Sequence, residues 1–233
     1  MQGFDVTAIL LNPQLAGMLA DGFLITLIVA TGSWIVAMSL GILLLVIRLT
    51  PSRIADRAVR IYVSYHSNVP TLVQLMLWYF GISSLLPAAL QGWLSEHYAE
   101  ATFAIISLGL CQAAYFSEDL RSGLRSIAAG QEEAARALGH SYIGTMRHVL
   151  LPQAFRNALP ALVNHTVSLF KNSSLAVAIG VAELTHAVKE VENQSFRTFE
   201  TFLIGTVVYL ACSLVLMGIG AWLSQRARPI GAR

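Results

Sequence analysis

The chain has 233 residues, 55% of them hydrophobic and only 12% charged, with a mean hydropathy of +0.63. That composition excludes a soluble globular domain and points to an all-α integral membrane protein with one membrane domain. The formal net charge of +2 says little as a total; where the charges fall says more.

Residues 1–22 contain Asp5 and Asp21 but no Lys or Arg, so they lack the basic start of a signal peptide and read as an outside-facing interfacial segment. The first span is expected over 23–47, about 37 Å at ~1.5 Å per residue and enough to cross a bilayer with tilt. Within it Ser33, Ala37 and Gly41 recur every fourth residue, a stripe that lets a second helix approach closely. Arg48, Arg53, Arg57 and Arg60 crowd the first connection.

A second span is expected over 61–86, interrupted at 65–71, where Pro70 removes a backbone hydrogen bond. A carbonyl freed in this way is tolerable at membrane depth only inside protein or beside a water-filled cavity. Asn68, Thr71 and Gln74 add polar groups there, and the connection over 87–100 has no Lys or Arg. The third span, 101–120, ends in polar residues, among them Glu118 and Arg121 at the spacing of a helical ion pair.

Between two apolar blocks lies a polar stretch, 130–152, that is built for helix. Glu132 and Glu133 suit a first turn, Ala134, Ala135, Arg136, Ala137 and Leu138 favour helix, and Gly139 is a natural stop. Ser141 can cap a second short helix that Pro152 closes or hands on. The fourth span, 152–179, holds Asn157, Pro160, Asn164, His165, Lys171, Asn172, Ser173 and Ser174, a poor lipid-facing set and a reasonable bundle interior. A charged segment over 182–200, a fifth span over 201–223 and a tail over 224–233 with Arg226, Arg228 and Arg233 complete the chain.

The membrane domain is thus 23–223 with about five helices. Twelve of the fifteen basic residues, those at 48, 53, 57, 60, 121, 125, 136, 147, 156, 226, 228 and 233, fall on one side. By the positive-inside rule that side is cytoplasmic, which leaves the N-terminus outside and the C-terminus inside. Cys111 and Cys212 form no metal or disulfide pattern, and the chain has no phosphate loop, HExxH or GxSxG. Any ATP must therefore be hydrolysed by another chain, and no nucleic-acid partner is expected.

The spacing Glu133-Ala134-Ala135, Gly139, Val149, Leu151-Pro152 resembles the EAA loop of ABC-importer permeases, with Val149 where that family usually has Ile. Pro70-Thr71-Leu72-Val73-Gln74, Ala114 to Glu118, Leu151 to Arg156 and Lys171 to Leu175 resemble the polar amino-acid subfamily. The resemblance implies a bacterial inner-membrane subunit that binds no cofactor itself. Its partners would be a pair of ABC subunits holding ATP and magnesium, a second permease chain and a periplasmic or lipid-anchored amino-acid-binding protein. It assigns ATPase coupling to Glu132, Glu133, Ala134, Ala135, Gly139, Leu151 and Pro152. The subfamily usually has Phe-Arg where this chain has His66-Ser67, a hint that a related chain, rather than a copy, supplies the partner.

Polar groups inside a membrane are costly and so mark a pathway. Asn68, Gln74, Asn164, His165, Lys171, Ser173 and Ser174 are the substrate-pathway candidates, and Glu118 with Arg121 a structural pair. Lys171, with no acidic residue expected at mid-membrane, favours glutamate or aspartate as cargo, with basic amino acids, glutamine or histidine as the alternative. A membrane-embedded enzyme using Glu118, His165 and Lys171, or an ion channel, would leave the EAA-like spacing unexplained.

Overall fold

The structure, a computed structural model, describes residues 4–96 and 98–227, and among these it contains helices and no strand. Asp5 caps helix α1 (Thr7–Leu10): its Oδ1 accepts from the backbone N–H of Thr7 and Ala8 and from the Thr7 hydroxyl. That hydroxyl, first among its partners, holds the Asp5 carboxyl below its usual pKa.

Helix α2 (Pro13–Leu49) is 37 residues long, about 55 Å. It begins ten residues before the expected span because Asn12 accepts from the N–H groups of Gln14 and Leu15 and Pro13 occupies the first turn. Residues 13–22 of the supposed interfacial segment are therefore helix. The small-residue stripe is buried, and the close neighbour is α6 (Ala99–Arg125). A Cβ on Gly41 would sit 3.0 Å from Phe116 Cβ, and one on Gly109 of α6 would sit 2.7 Å from Val36.

Helix α3 (Arg53–Asn68) is amphipathic and capped by Ser52. It lies against α2 and α6 through Val59 and Tyr62, whose hydroxyl donates to Leu110 O at 2.6 Å. The chain breaks at Val69-Pro70 and resumes as α4 (Thr71–Met76), a π segment (Leu77–Ile82) and a 3-10 turn (Ser83–Leu85). Helix α5 (Ala88–Glu96) precedes α6.

After α6 come α7 (Ala129–Ala137) and α8 (Tyr142–Thr145), the latter capped by Ser141. A π segment (Met146–Leu150) then runs straight into α9 (Leu151–Asn172), so Pro152 sits in the first turn of α9 and hands the chain on. Helix α9 continues as a 3-10 stretch (Ser173–Ile179), turns at Gly180, whose φ is +89°, and bends by 55° into α10 (Leu184–Ser195). Helix α11 (Thr198–Ala227) closes the described chain; Arg228 and Arg233 of the tail lie outside it.

Three helices are long and apolar enough to cross a membrane, α2, α6 and α11, and the bent pair 142–179 with 184–195 makes a fourth if taken as one broken span. The second expected span, 61–86, differs most. Its part after Pro70 is one apolar helix, Thr71–Leu85, which at ~1.5 Å per residue reaches about 22 Å and falls short of a hydrocarbon layer ~30 Å thick.

The expected inter-span segment 182–200 is also different. Leu184, Ala187, Val188 and Val191 of α10 pack against Ile9, Leu15 and Leu19. Glu183, expected beyond the span, is fully buried as the cap of α10. Its carboxylate accepts from the N–H groups of Thr185 and His186 and from the Tyr209 hydroxyl at 2.8 Å. A buried carboxylate survives only with such partners. The main core joins Val29, Leu75, Ala104, Leu108, Leu169 and Ile179, so α2, α4, α6 and α9 form one packed unit.

Candidate functional site

Two features of this unit stand out, a polar cavity and an exposed loop. The cavity, about 200 Å³, lies between α4, α6 and α9 and is lined by Thr71, Gln112, Tyr115, His165, Ser168 and Asn172 among others. On α6 the residues 108, 111, 112, 115 and 119 recur at helical spacing, which puts Cys111, Gln112 and Tyr115 on the face that meets α9. His165 Nδ1 lies 2.6 Å from Asp119 Oδ2, and its ring is 5.1 Å from that of Tyr115. An ionised carboxylate can only accept, so Nδ1 carries the shared proton and Nε2 remains as the second polar atom of the ring. Gln112 Nε2 is buried and has no hydrogen-bond partner among the described residues. An unmatched buried donor on a cavity wall is costly unless something polar enters.

The loop is presented outward. Of α7 only Ala135 is buried; Glu132 is half-buried and Glu133, Ala134 and Arg136 are exposed. The helix ends in a Schellman arrangement, with Gly139 N–H donating to Arg136 O at 3.0 Å and His140 N–H to Ala135 O at 3.2 Å. Gly139 has φ +87°, and a Cβ there would meet nothing within 4 Å. The glycine is thus required by backbone conformation and not, within this chain, by crowding. Leu138, Tyr142 and Ile143 are exposed beyond it. Leu151 and Pro152 are exposed at the start of α9. The loop is tied back to α9 by Gln153 Nε2 to Gln131 Oε1 at 3.4 Å and by Asn157 Nδ2 to Ser126 Oγ at 2.8 Å.

A family model described as the inner membrane component of binding-protein-dependent transport systems matches residues 35–229. The chain belongs to this family. It is 36% identical over 191 residues to a probable amino-acid permease, YxeN, of Bacillus subtilis, covering 82% of this chain and 83% of the relative. It is 33% identical to the arginine transport system permease ArtQ of the same species, covering 93% of this chain and 94% of that one. With the glutamate/aspartate import permease GltJ of Escherichia coli it shares 29%, over 94% and 91%. The crystal structure of an amino acid ABC transporter with histidines has the same fold, with a TM-score of 0.83 at 24% identity, over 97% of this chain and 100% of that one.

In this permease the seven pathway candidates are not gathered in one place; only His165 lines the cavity. Gln74 is fully buried with every polar end engaged: Oε1 accepts from His66 Nδ1 at 2.5 Å, and Nε2 donates to the carbonyls of His66 and Val69. His66, the departure from the subfamily pattern, is thereby occupied within its own chain. Asn68 donates to Ser64 O, Ser173 to Phe170 O and Ser174 to Lys171 O, each a local backbone bond. Asn164 is exposed on α9. Lys171 is exposed too and lines a different hollow, with Ser174, Thr185 and Tyr209 between α9, α10 and α11.

Glu118 lies 3.7 Å from Arg121 and also bonds Arg48, a partner 70 residues away that the sequence reading did not pair with it. Arg48 reaches on to Asp56, which holds Arg60 at 2.8 Å. Gln112, Ser168 and Asp119 are not among the pathway residues expected from the sequence. The signal for two of them is present: an amide and a carboxylate seven residues apart, on one face of the helix.

Proposed function

We propose that this permease is one of two such chains lining the route of a polar amino acid across the inner membrane, driven by a separate pair of ATPase subunits. Supporting this are relatives with amino-acid names and, above all, the cavity whose wall carries His165, itself paired with Asp119, and the unmatched Gln112 donor. Every amino acid brings a carboxylate that the Gln112 amide can bind and an ammonium that can donate to His165 Nε2.

Helix α7 is the coupling helix in this reading. Gln131 links it to Gln153 of α9, and α9 runs from there to His165, about 18 Å along one helix that contains Pro160. A displacement of α7 by the ATPase therefore reaches the cavity wall without an intervening loop. Twelve basic residues on one side give the orientation proposed here, with the N-terminus outside and the loop in the cytoplasm.

The expectation of an acidic cargo rested on Lys171 and on a midplane free of carboxylates. The position of Lys171 removes the first premise, and Asp119 sets a carboxylate 2.6 Å from His165 beside the cavity. The proposal therefore assigns no charge to the cargo side chain, and relatives named for arginine, glutamine and glutamate/aspartate span all three kinds. The deciding experiment is uptake into vesicles holding the permease, its ATPase and the binding protein, with a panel of unlabelled amino acids competing against a labelled one. Competition by at least one polar amino acid, with transport lost in His165→Ala and Gln112→Ala, supports the reading. Transport unaffected by both substitutions overturns the cavity assignment.

A further inference from the structure

The outer surface of the bundle carries an apolar groove between α2, α9 and α11. It is made of two hollows of about 430 and 540 Å³ that share Trp34, Thr166 and Leu216 and so form one trough. Its two mid-groove polar groups satisfy each other: Trp34 Nε1 donates to Thr166 Oγ1 at 3.0 Å. Elsewhere its walls are residues such as Leu27, Phe155 and Val163. At one end stands Arg226, its guanidinium 4.1 Å above the ring of Trp222. Arg226 forms no salt bridge among the described residues.

We propose that this groove binds one anionic phospholipid, with an acyl chain along the trough and the phosphate group at Arg226. Three observations select that occupant. Two of the three walls belong to the most apolar helices, α2 and α11, whose exposed side chains are largely apolar. From Ala211 to Arg226 the trough extends about 22 Å, more than one leaflet of a hydrocarbon core ~30 Å thick, so a whole acyl chain is accommodated. The sole charge on the lining is a cation, placed at the polar end of α11 where a headgroup lies and immobilised over an aromatic ring. A neutral helix of a second chain would fill the trough but leave Arg226 without a counter-charge. That the leaflet is the cytoplasmic one rests on the orientation proposed above; the site itself does not.

Trp34 is a reporter inside the groove. In the permease–ATPase complex with Trp78, Trp93 and Trp222 changed to Phe, its emission is followed in bilayers doped with phosphatidylglycerol or phosphatidylcholine carrying brominated, quenching acyl chains. If those replacements prevent assembly, the difference in emission between wild type and Trp34→Phe isolates the same signal. One arginine at an anionic headgroup is worth about 1 kcal/mol, a factor of about five. Half-quenching is therefore expected at about one-fifth the mole fraction for phosphatidylglycerol, and Arg226→Gln brings the two lipids together. Equal half-quenching by both lipids in the Arg226 protein overturns the proposal, as does a preference that survives Arg226→Gln. Absence of quenching by either lipid also overturns it, because protein then covers the groove.

Discussion

The side-chain amide of Gln74 donates to the carbonyl oxygen of His66 at 3.1 Å, and that oxygen is the one Pro70 leaves without a helical partner. An N–H at position 70 would have bonded the carbonyl four residues back, and proline has none. The same amide holds Val69 O at 2.7 Å, while Gln74 Oε1 accepts a hydrogen bond from His66 Nδ1–H. One buried side chain thus satisfies the two carbonyls at the break between α3 and α4 and the His66 ring N–H beside them.

Removing it should be costly. Each buried group left unmatched costs about 1–3 kcal/mol, so Gln74→Leu is expected to lower the thermal midpoint of the purified complex by several degrees. His66→Phe alone should cost less, because it keeps a ring and leaves the two carbonyls capped, with only Gln74 Oε1 losing its donor. A double-mutant cycle on these two positions should show coupling of about 0.5 kcal/mol or more. Additive losses would show that the two side chains act separately.

Gly139 gives a second prediction, sharpened by the space around it. With φ at +87° and open space for a Cβ, Gly139→Asn should be tolerated, since Asn visits the left-handed region, and Gly139→Ala should cost the turn about 1 kcal/mol. Gly139→Val should be worst, because a β-branched residue resists that conformation most. The expected order for substrate-stimulated ATP hydrolysis, at equal assembly in the membrane, is wild type, Asn, Ala, Val. Full stimulation in the Val variant would remove the turn from coupling.

These examples show what the sequence discloses. Local devices were legible: the Gly139 stop, the Ser141 cap, the proline break and the 33–37–41 stripe each act within a few residues or announce a close neighbour. What was hidden depends on distance along the chain. Asp119 meets His165 from 46 residues away, and Arg48 meets Glu118 from 70. Glu183 sits among charged neighbours that look solvated, and only Thr26 and Tyr209, brought in by α2 and α11, turn it into a buried cap. The start of α2 at Asn12-Pro13 was readable as a cap, but hydropathy over a long window passes over it.

The Asp119–His165 pair yields a third prediction. Asp119→Asn keeps the shape but replaces an obligate acceptor with an amide, so the proton on His165 Nδ1 is no longer fixed. Hydrogen bonds to charged groups are worth about 1.5–3 kcal/mol, and the apparent affinity for cargo should fall about 10-fold or more in both Asp119→Asn and His165→Gln. Because the two act as a unit, the double variant should fall little further than either single one. Independent effects that multiply would separate them.

The last prediction concerns Lys171. An ammonium at a helix centre costs about 2.5–3.5 kcal/mol on insertion scales, which made this residue a candidate to meet the cargo carboxylate. The structure sets it elsewhere. It is exposed at the last turn of α9, lines the hollow against α10 and α11, and has no ion pair among the described residues. The cavity wall is supplied instead by Asn172, the next residue round the helix, and by His165 nearly two turns before it. A long, flexible side chain at an exposed helix end carries its charge out to water while its stem stays against apolar neighbours, here Val188 and Phe202. Lys171→Gln and Lys171→Met should therefore transport with an apparent affinity within about twofold of wild type, a difference under ~0.5 kcal/mol. In the same reconstituted complex His165→Gln should show the larger loss. If both Lys171 variants lose affinity tenfold while basal ATP hydrolysis is unchanged, the ammonium meets the cargo, and the route runs along α10 and α11 rather than through the cavity.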